Sequence, residues 1–154
     1  MSGYTSTRSR APKKMLHSFT IYGNQEDTKG NPIPYLRTTQ GTQWTKAAIR
    51  YSQWKAFVRI CLIDSLQGIP KDNVLWCVAK NNKAIEFTKT KSEMQLQIFF
   101  SNKAHADPDN IFKGIADALF VNDKLLSGSF DFGYDKENPR VEVRIETDLS
   151  TVST

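Results

Sequence analysis

The sequence predicts a small single α/β (α+β) domain, with a mixed sheet of about four to five strands packed against two main helices. Three observations carry this. Several short segments alternate apolar with polar residues, the two-residue period of a half-buried strand. Two other segments repeat apolar residues at steps of three and four, as a helix laid on a core does. The chain's 154 residues, 39% apolar and 24% charged, suit one domain able to bury a core.

Residues 1–15, "MSGYTSTRSRAPKKM", read as a disordered basic tail ahead of a domain spanning 16–146. "HSFTIY" (17–22) alternates and forms a first strand. The polar segment 23–43, rich in Gly, Asn and Pro, reads as a long loop that is either functional or a mobile surface connection. From about Thr45 to Leu66 runs one long helix: Ala48, Tyr51, Trp54 or Lys55, Val58 and Leu62 form its stripe, and Gly68 and Pro70 end it. Trp44, Trp54 and Phe57 belong to core or interface rather than to base stacking. "VLWCVA" (74–79) is the continuous apolar run of a buried strand. "EMQLQIFF" (93–100) and "RVEVRIE" (140–146) alternate, and "LLSGSFDFGY" (125–134) is a further strand interrupted by Gly128. Residues 147–154 read as a C-terminal tail.

Composition narrows the function classes. A net charge of +5 favours polyanionic partners, although part of the excess lies in the N-terminal tail. No apolar run approaches the roughly 20 residues that span a bilayer. The polar, basic N-terminus has no apolar core of a signal peptide. Cys61 and Cys77 both sit in apolar segments and read as buried thiols rather than a disulfide or a metal pair. Together these place the protein in the cytoplasm, away from membranes.

Most of the chemistry is concentrated in "HADPDNIFKGIADALFVNDK" (105–124). A helix begins at about Asp109, with Ile111, Phe112, Ile115, Ala118 and Leu119 on one face and Asp109, Asn110, Lys113 and Asp117 on the other. A helix cap at Asp109, worth about 1 kcal/mol, and i,i+4 pairs from Asp109 to Lys113 and from Lys113 to Asp117 explain part of this set. They do not explain Asp107, nor Asp123 after the helix. If a strand end, a helix start and the next strand start converge, three carboxylates meet and repel. A divalent cation removes that cost, and hard oxygen ligands select Mg²⁺ or Mn²⁺. Such a site can activate water at a phosphodiester, with a lysine neutralising charge in the transition state.

The run D-P-D-N-x-x-K-x-x-x-D-A-L at 107–119, followed by Asn122–Asp123, resembles the signature of RusA-type Holliday-junction resolvases. The resemblance is close over 107–123 and looser over the rest of 16–146. It implies a RusA-like α/β domain that forms a homodimer, binds four-way DNA junctions and resolves them by paired nicks with Mg²⁺ or Mn²⁺. It implies that Asp107, Asp109 and Asp123 bind metal and that Lys113 is catalytic. Asn110 is then a helix-entry residue supporting the ligands, and Asp117 a partner for Lys113. Where the family has an Asp-Asp pair this chain has Asn122–Asp123, which keeps the second acid.

A role in DNA recombination and repair, in the cytoplasm of a bacterial host if phage or prophage encoded, is what the resemblance implies. Lys29, Arg37, Lys46, Arg50 and Lys103 are candidates to meet the DNA backbone. The long helix 45–66, apolar on more than one face, suits a dimer interface. Two other readings stay open: a branched-DNA-binding protein without cleavage, and a nuclease with broader flap or branched substrates. Concentrating carboxylates beside DNA brings no advantage to a protein that only binds it.

Overall fold

A computed structural model describes residues 14–23, 28–67, 91–120 and 124–148. The strand expected at 74–79, Cys77, the Asn122–Asp123 pair and the outer parts of both tails lie outside the described residues. The elements are β1 (Lys14–Tyr22), α1 (Lys46–Ser65), β2 (Ser92–Phe100), α2 (Pro108–Leu119), β3 (Leu126–Tyr134) and β4 (Arg140–Asp148). This is the α+β arrangement expected: among the described residues a mixed four-stranded sheet packs with two helices.

The strands lie in the order β1-β4-β2-β3. β4 pairs antiparallel with both β1 and β2, while β3 pairs parallel with β2 after the crossover through α2. Alternation decides the faces. Phe19, Ile21, Met94, Leu96, Ile98, Phe100, Val141, Val143 and Ile145 are all buried in the core. Ser18, Thr20, Gln95, Gln97, Glu142 and Arg144 line a hollow on the open face. β1 and β4 run two residues into each expected tail, with Lys14 opposite Asp148 and Met15 opposite Thr147. Main-chain pairing extends the strands there, past the point where alternation marks them.

α1 starts at Thr45, whose hydroxyl accepts the Ala48 N–H at 3.2 Å, and its stripe is Ala48, Tyr51, Trp54, Val58 and Leu62. Trp54 is the core member of that register, and Phe57 is half-buried beside it, whereas Trp44 is exposed. Cys61 is half-buried, and burial next to Asp64 pushes its thiol pKa up to about 11, which keeps it inert. α1 packs on β1 and on α2. Among the described residues no helix is long and apolar enough to cross a membrane.

The segment after β1 is more than a surface connection. Lys29 and Gly30 take positive φ (56° and 91°), and the chain then turns inward to bury Asn31 and Ile33. It lies against α2 at Gly114, where an added Cβ would come within 3.2 Å of the Tyr35 backbone nitrogen. A side chain there would push the 31–36 segment back by a few tenths of an ångström.

Candidate functional site

β2 ends at Phe100, a short loop follows, and α2 begins at Pro108, so the candidate residues gather beyond the carboxyl end of a central strand. Open α/β sheets characteristically bind ligands there. The local chemistry differs from the expected cap at Asp109. Asp107 is the cap: its Oδ1 accepts the Asp109 N–H at 3.0 Å, and its backbone oxygen accepts from Asn110 and Ile111. Pro108, with no N–H to satisfy, fits the first helical turn and moves the cap two residues back. Asp109 therefore sits inside the first turn, where a carboxylate complements the helix dipole.

Lys113 lies one turn on, with Nζ 3.4 Å from Asp109 Oδ2, and both side chains are more than half exposed. The second oxygen of Asp107 and the Asp109 carboxylate thus face water beside a lysine. Asn110 is half-buried, and its backbone oxygen accepts the Tyr35 N–H at 2.9 Å, tying the 31–36 segment to the helix entry.

Asp117 does not partner Lys113. Its Oδ2 accepts the Tyr51 hydroxyl at 2.7 Å and pairs with Lys55 Nζ at 3.1 Å, and that ammonium also lies over the Tyr51 ring. Packing of α1 on α2 brings these two groups to Asp117, while Lys113 turns to the acid one turn earlier. Burial and the Asp117 carboxylate hold the Tyr51 phenol protonated, far above its ordinary pKa. The triad is a helix–helix clamp. Tyr51→Phe is expected to lower stability by about 1 kcal/mol in denaturant titration, the net worth of one hydrogen bond. It should leave any activity of the Asp107–Asp109–Lys113 group within a few-fold, whereas loss of activity on the scale of a Lys113 variant would put Asp117 in the site itself.

Two positioning residues were missed from sequence. Asn31, only 3% exposed, accepts from Ser101 N at 2.7 Å and Ser101 Oγ at 3.1 Å, and donates to Asn102 Oδ1 and the Ala104 carbonyl. It fixes the loop that delivers Asp107. His105 donates from Nδ1 to the Ala106 carbonyl at 2.8 Å, and its Nε2 shares a hydrogen bond of 3.0 Å with the Tyr134 hydroxyl. The ring stacks on Phe100 with centroids 3.6 Å apart. "GNP" reads only as a turn, and a lone His gives no sign of either partner.

Asp123 lies outside the described residues. On either side of it the chain is placed: Phe120 follows the C-terminal end of α2, and Leu126 stands opposite Ser92, at the end of β2 away from Phe100. The start of α2 itself contributes two of the three expected carboxylates, and among the described residues no group of three or more His, Cys, Asp or Glu side chains could hold a metal ion. The oxygens at Asp107 and Asp109, exposed and hard, fit a divalent cation that keeps several of its waters.

Of the basic candidates, Lys29 lines a hollow with Ser101, Asn102 and Lys136, and Lys103 sits on that same loop. Arg37 is exposed two residues beyond the Tyr35 contact with α2. Lys46 and Arg50 occupy the exposed first turns of α1. Lys136, close to Lys29, is a cation the sequence did not single out. A cleft of about 460 Å³ runs along α2 between Tyr35, Phe112, Lys113, Asp117 and Leu126.

No protein-family model and no curated protein matches the chain.

Proposed function

We propose that this protein is a metal-dependent, structure-selective endodeoxyribonuclease that resolves four-way DNA junctions by paired nicks, as the RusA-like spacing of 107–123 implies. One observation carries the reading: two water-facing carboxylates and a lysine stand together at the carboxyl end of β2, with Lys113 Nζ 3.4 Å from Asp109. The cap bond explains one oxygen of Asp107. It leaves the other oxygen and the Asp109 carboxylate available.

In this reading Asp107 and Asp109 hold Mg²⁺ or Mn²⁺, with Asp123 as the third acid of the motif. Bound there, the cation would activate the attacking water and stabilise the leaving oxygen. Lys113 donates to the scissile phosphate, where negative charge grows in the transition state. Asn31 and Asn110 hold the loop and the helix entry that aim these groups. The basic residues Lys29 and Lys103, with Lys136, flank the same loop and can meet the phosphate backbone. A homodimer would offer one such site to each of two symmetry-related strands. The direct test incubates labelled four-way, flap and duplex DNA with the protein, with and without Mg²⁺. Symmetrical nicks on the four-way substrate, dependent on Mg²⁺, are expected. No nicking of any substrate with either Mg²⁺ or Mn²⁺ would leave only binding.

Affinity for the junction should also fall steeply with salt. Each phosphate contact made by Lys29, Arg37, Lys46, Arg50 or Lys103 should contribute about −0.9 to the slope of log K against log salt. Replacing any one with alanine should weaken binding without moving the nick, as read by gel shift and by mapping of products. A flat salt dependence would remove these residues from the interface.

A further inference from the structure

The cleft of about 460 Å³ along α2 is lined by Lys113 and has aromatic walls. Cavities of about 300–1,000 Å³ with apolar walls and a few polar groups typically hold small ligands. Tyr35, 39% exposed, and Phe112, half-buried, form the walls together with Phe120 and Leu126. The fold fixes both of the first two rings. The Tyr35 N–H donates to the Asn110 carbonyl, and its ring meets Tyr51 edge-on with centroids 5.8 Å apart. Phe112 packs on Phe130 and lies over Gly128, where an added Cβ would come within 2.5 Å of its ring. The chemistry assigned to Asp107, Asp109 and Lys113 uses neither ring.

The walls and their charges select the occupant. Aromatic faces favour a flat π-faced guest, and base–aromatic stacking serves every nucleobase. Lys113 and Asp117 line the same cleft, so an apolar protein side chain seated there would strip water from both charges and satisfy neither. A base carries N–H groups on its edge. Asp117 keeps an acceptor for one of them: its bonds to Tyr51 and Lys55 both fall on Oδ2, which leaves Oδ1. Position points the same way. Lys113 Nζ stands 3.4 Å from Asp109, so a strand whose phosphate reaches Lys113 carries its base to the cleft. We propose that the cleft between Tyr35 and Phe112 receives one unstacked nucleobase of the DNA strand whose phosphate meets Lys113.

The inference rests on the nuclease reading and gives its structure selectivity a physical source. A base must leave its stack to enter the cleft, and that costs least where pairing or stacking is already interrupted. Four-way and flap substrates interrupt it at the branch point, whereas continuous duplex does not. The cleft therefore favours a strand at the branch without reading its sequence, because its rings stack on any base.

Gel shifts without Mg²⁺ test it on the full chain. The substrates are four-way junctions, either intact or carrying one abasic nucleotide at successive positions across the branch point. The parent protein is compared with Tyr35→Ala, Phe112→Leu, Tyr35→Phe and Trp44→Ala, and thermal melting checks that each variant is folded. Trp44 is an exposed ring outside the cleft. The parent should lose about tenfold or more in affinity at one abasic position, the loss typical of a stacked base. Tyr35→Ala and Phe112→Leu should bind the intact junction that much more weakly and lose little further at that position. Tyr35→Phe, which keeps the ring, and Trp44→Ala should match the parent. A parent that binds no junction, or that is indifferent to every abasic position, would overturn the proposal. So would folded Tyr35→Ala and Phe112→Leu proteins that discriminate as the parent does, or a Trp44→Ala protein that does not. Nicking with Mg²⁺ on the same samples separates the two readings. A parent that discriminates but never nicks removes only the nuclease, and one that nicks without discriminating removes only the base cleft.

Discussion

Asp107→Asn is expected to abolish Mg²⁺-dependent nicking while junction binding persists or tightens. The structure makes this substitution unusually clean. Asp107 caps α2 through Oδ1, and asparagine keeps that oxygen and caps a helix about as well as aspartate. The fold should therefore lose nothing measurable, whereas Asp107→Ala would cost about 1 kcal/mol of helix stability. What Asn removes is the charge that holds a hard cation. It also removes repulsion from the DNA phosphates, which is why affinity should hold or rise. Asp109→Asn should behave alike, because Asp109 makes no cap bond and its ion pair with Lys113 is exposed. Gel shift and cleavage on one junction, run with thermal melts, measure all three quantities. Full Mg²⁺-dependent nicking by either folded variant would remove that residue from the site.

Lys113→Ala should cut at least a hundredfold more slowly, yet fold and bind metal and junction. Its ammonium lies beside Asp109, on the exposed flank of α2. As an exposed i,i+4 partner alone it would stabilise the helix by about 0.3–0.5 kcal/mol, and its loss would scarcely touch activity. As a preorganised donor to the phosphate, its loss should cost about 10²–10³ in rate. The structure sharpens this contrast. Asp117 is engaged by Tyr51 and Lys55 and does not hold Lys113, so Lys113 is tied at one end only and can swing from Asp109 to a phosphate. Single-turnover cleavage at saturating junction separates the two cases by orders of magnitude. A near-normal rate in the folded variant would reduce Lys113 to a surface ion pair.

The sequence alone determined what depends on near neighbours. Alternation over 93–100 and 140–146 and the three- and four-residue steps of 45–66 appear as β2, β4 and α1 within a residue or two. Each signal is a repeat of one residue's surroundings along a few turns or pleats. The clustering of Asp107, Asp109 and Lys113 at a helix entry was equally readable, since one turn of helix fixes their spacing. Even the misplaced cap was an error of two residues, set by whether Pro108 lies inside or outside the first turn.

What needed the tertiary structure is carried by contacts between distant parts of the chain. Asn31 meets Ser101 and Asn102 across 70 and 71 residues, and Tyr51 meets Asp117 across 66. No local pattern encodes either pair. The parallel placement of β3 on β2 likewise sets Phe130, Phe132 and Tyr134 beside the core strand, where they stay exposed. In sequence these aromatics look like any buried strand. Among the described residues β3 has a neighbour on one side only, and these rings stand exposed there, because burial is a property of what lies opposite a residue and not of the residue itself.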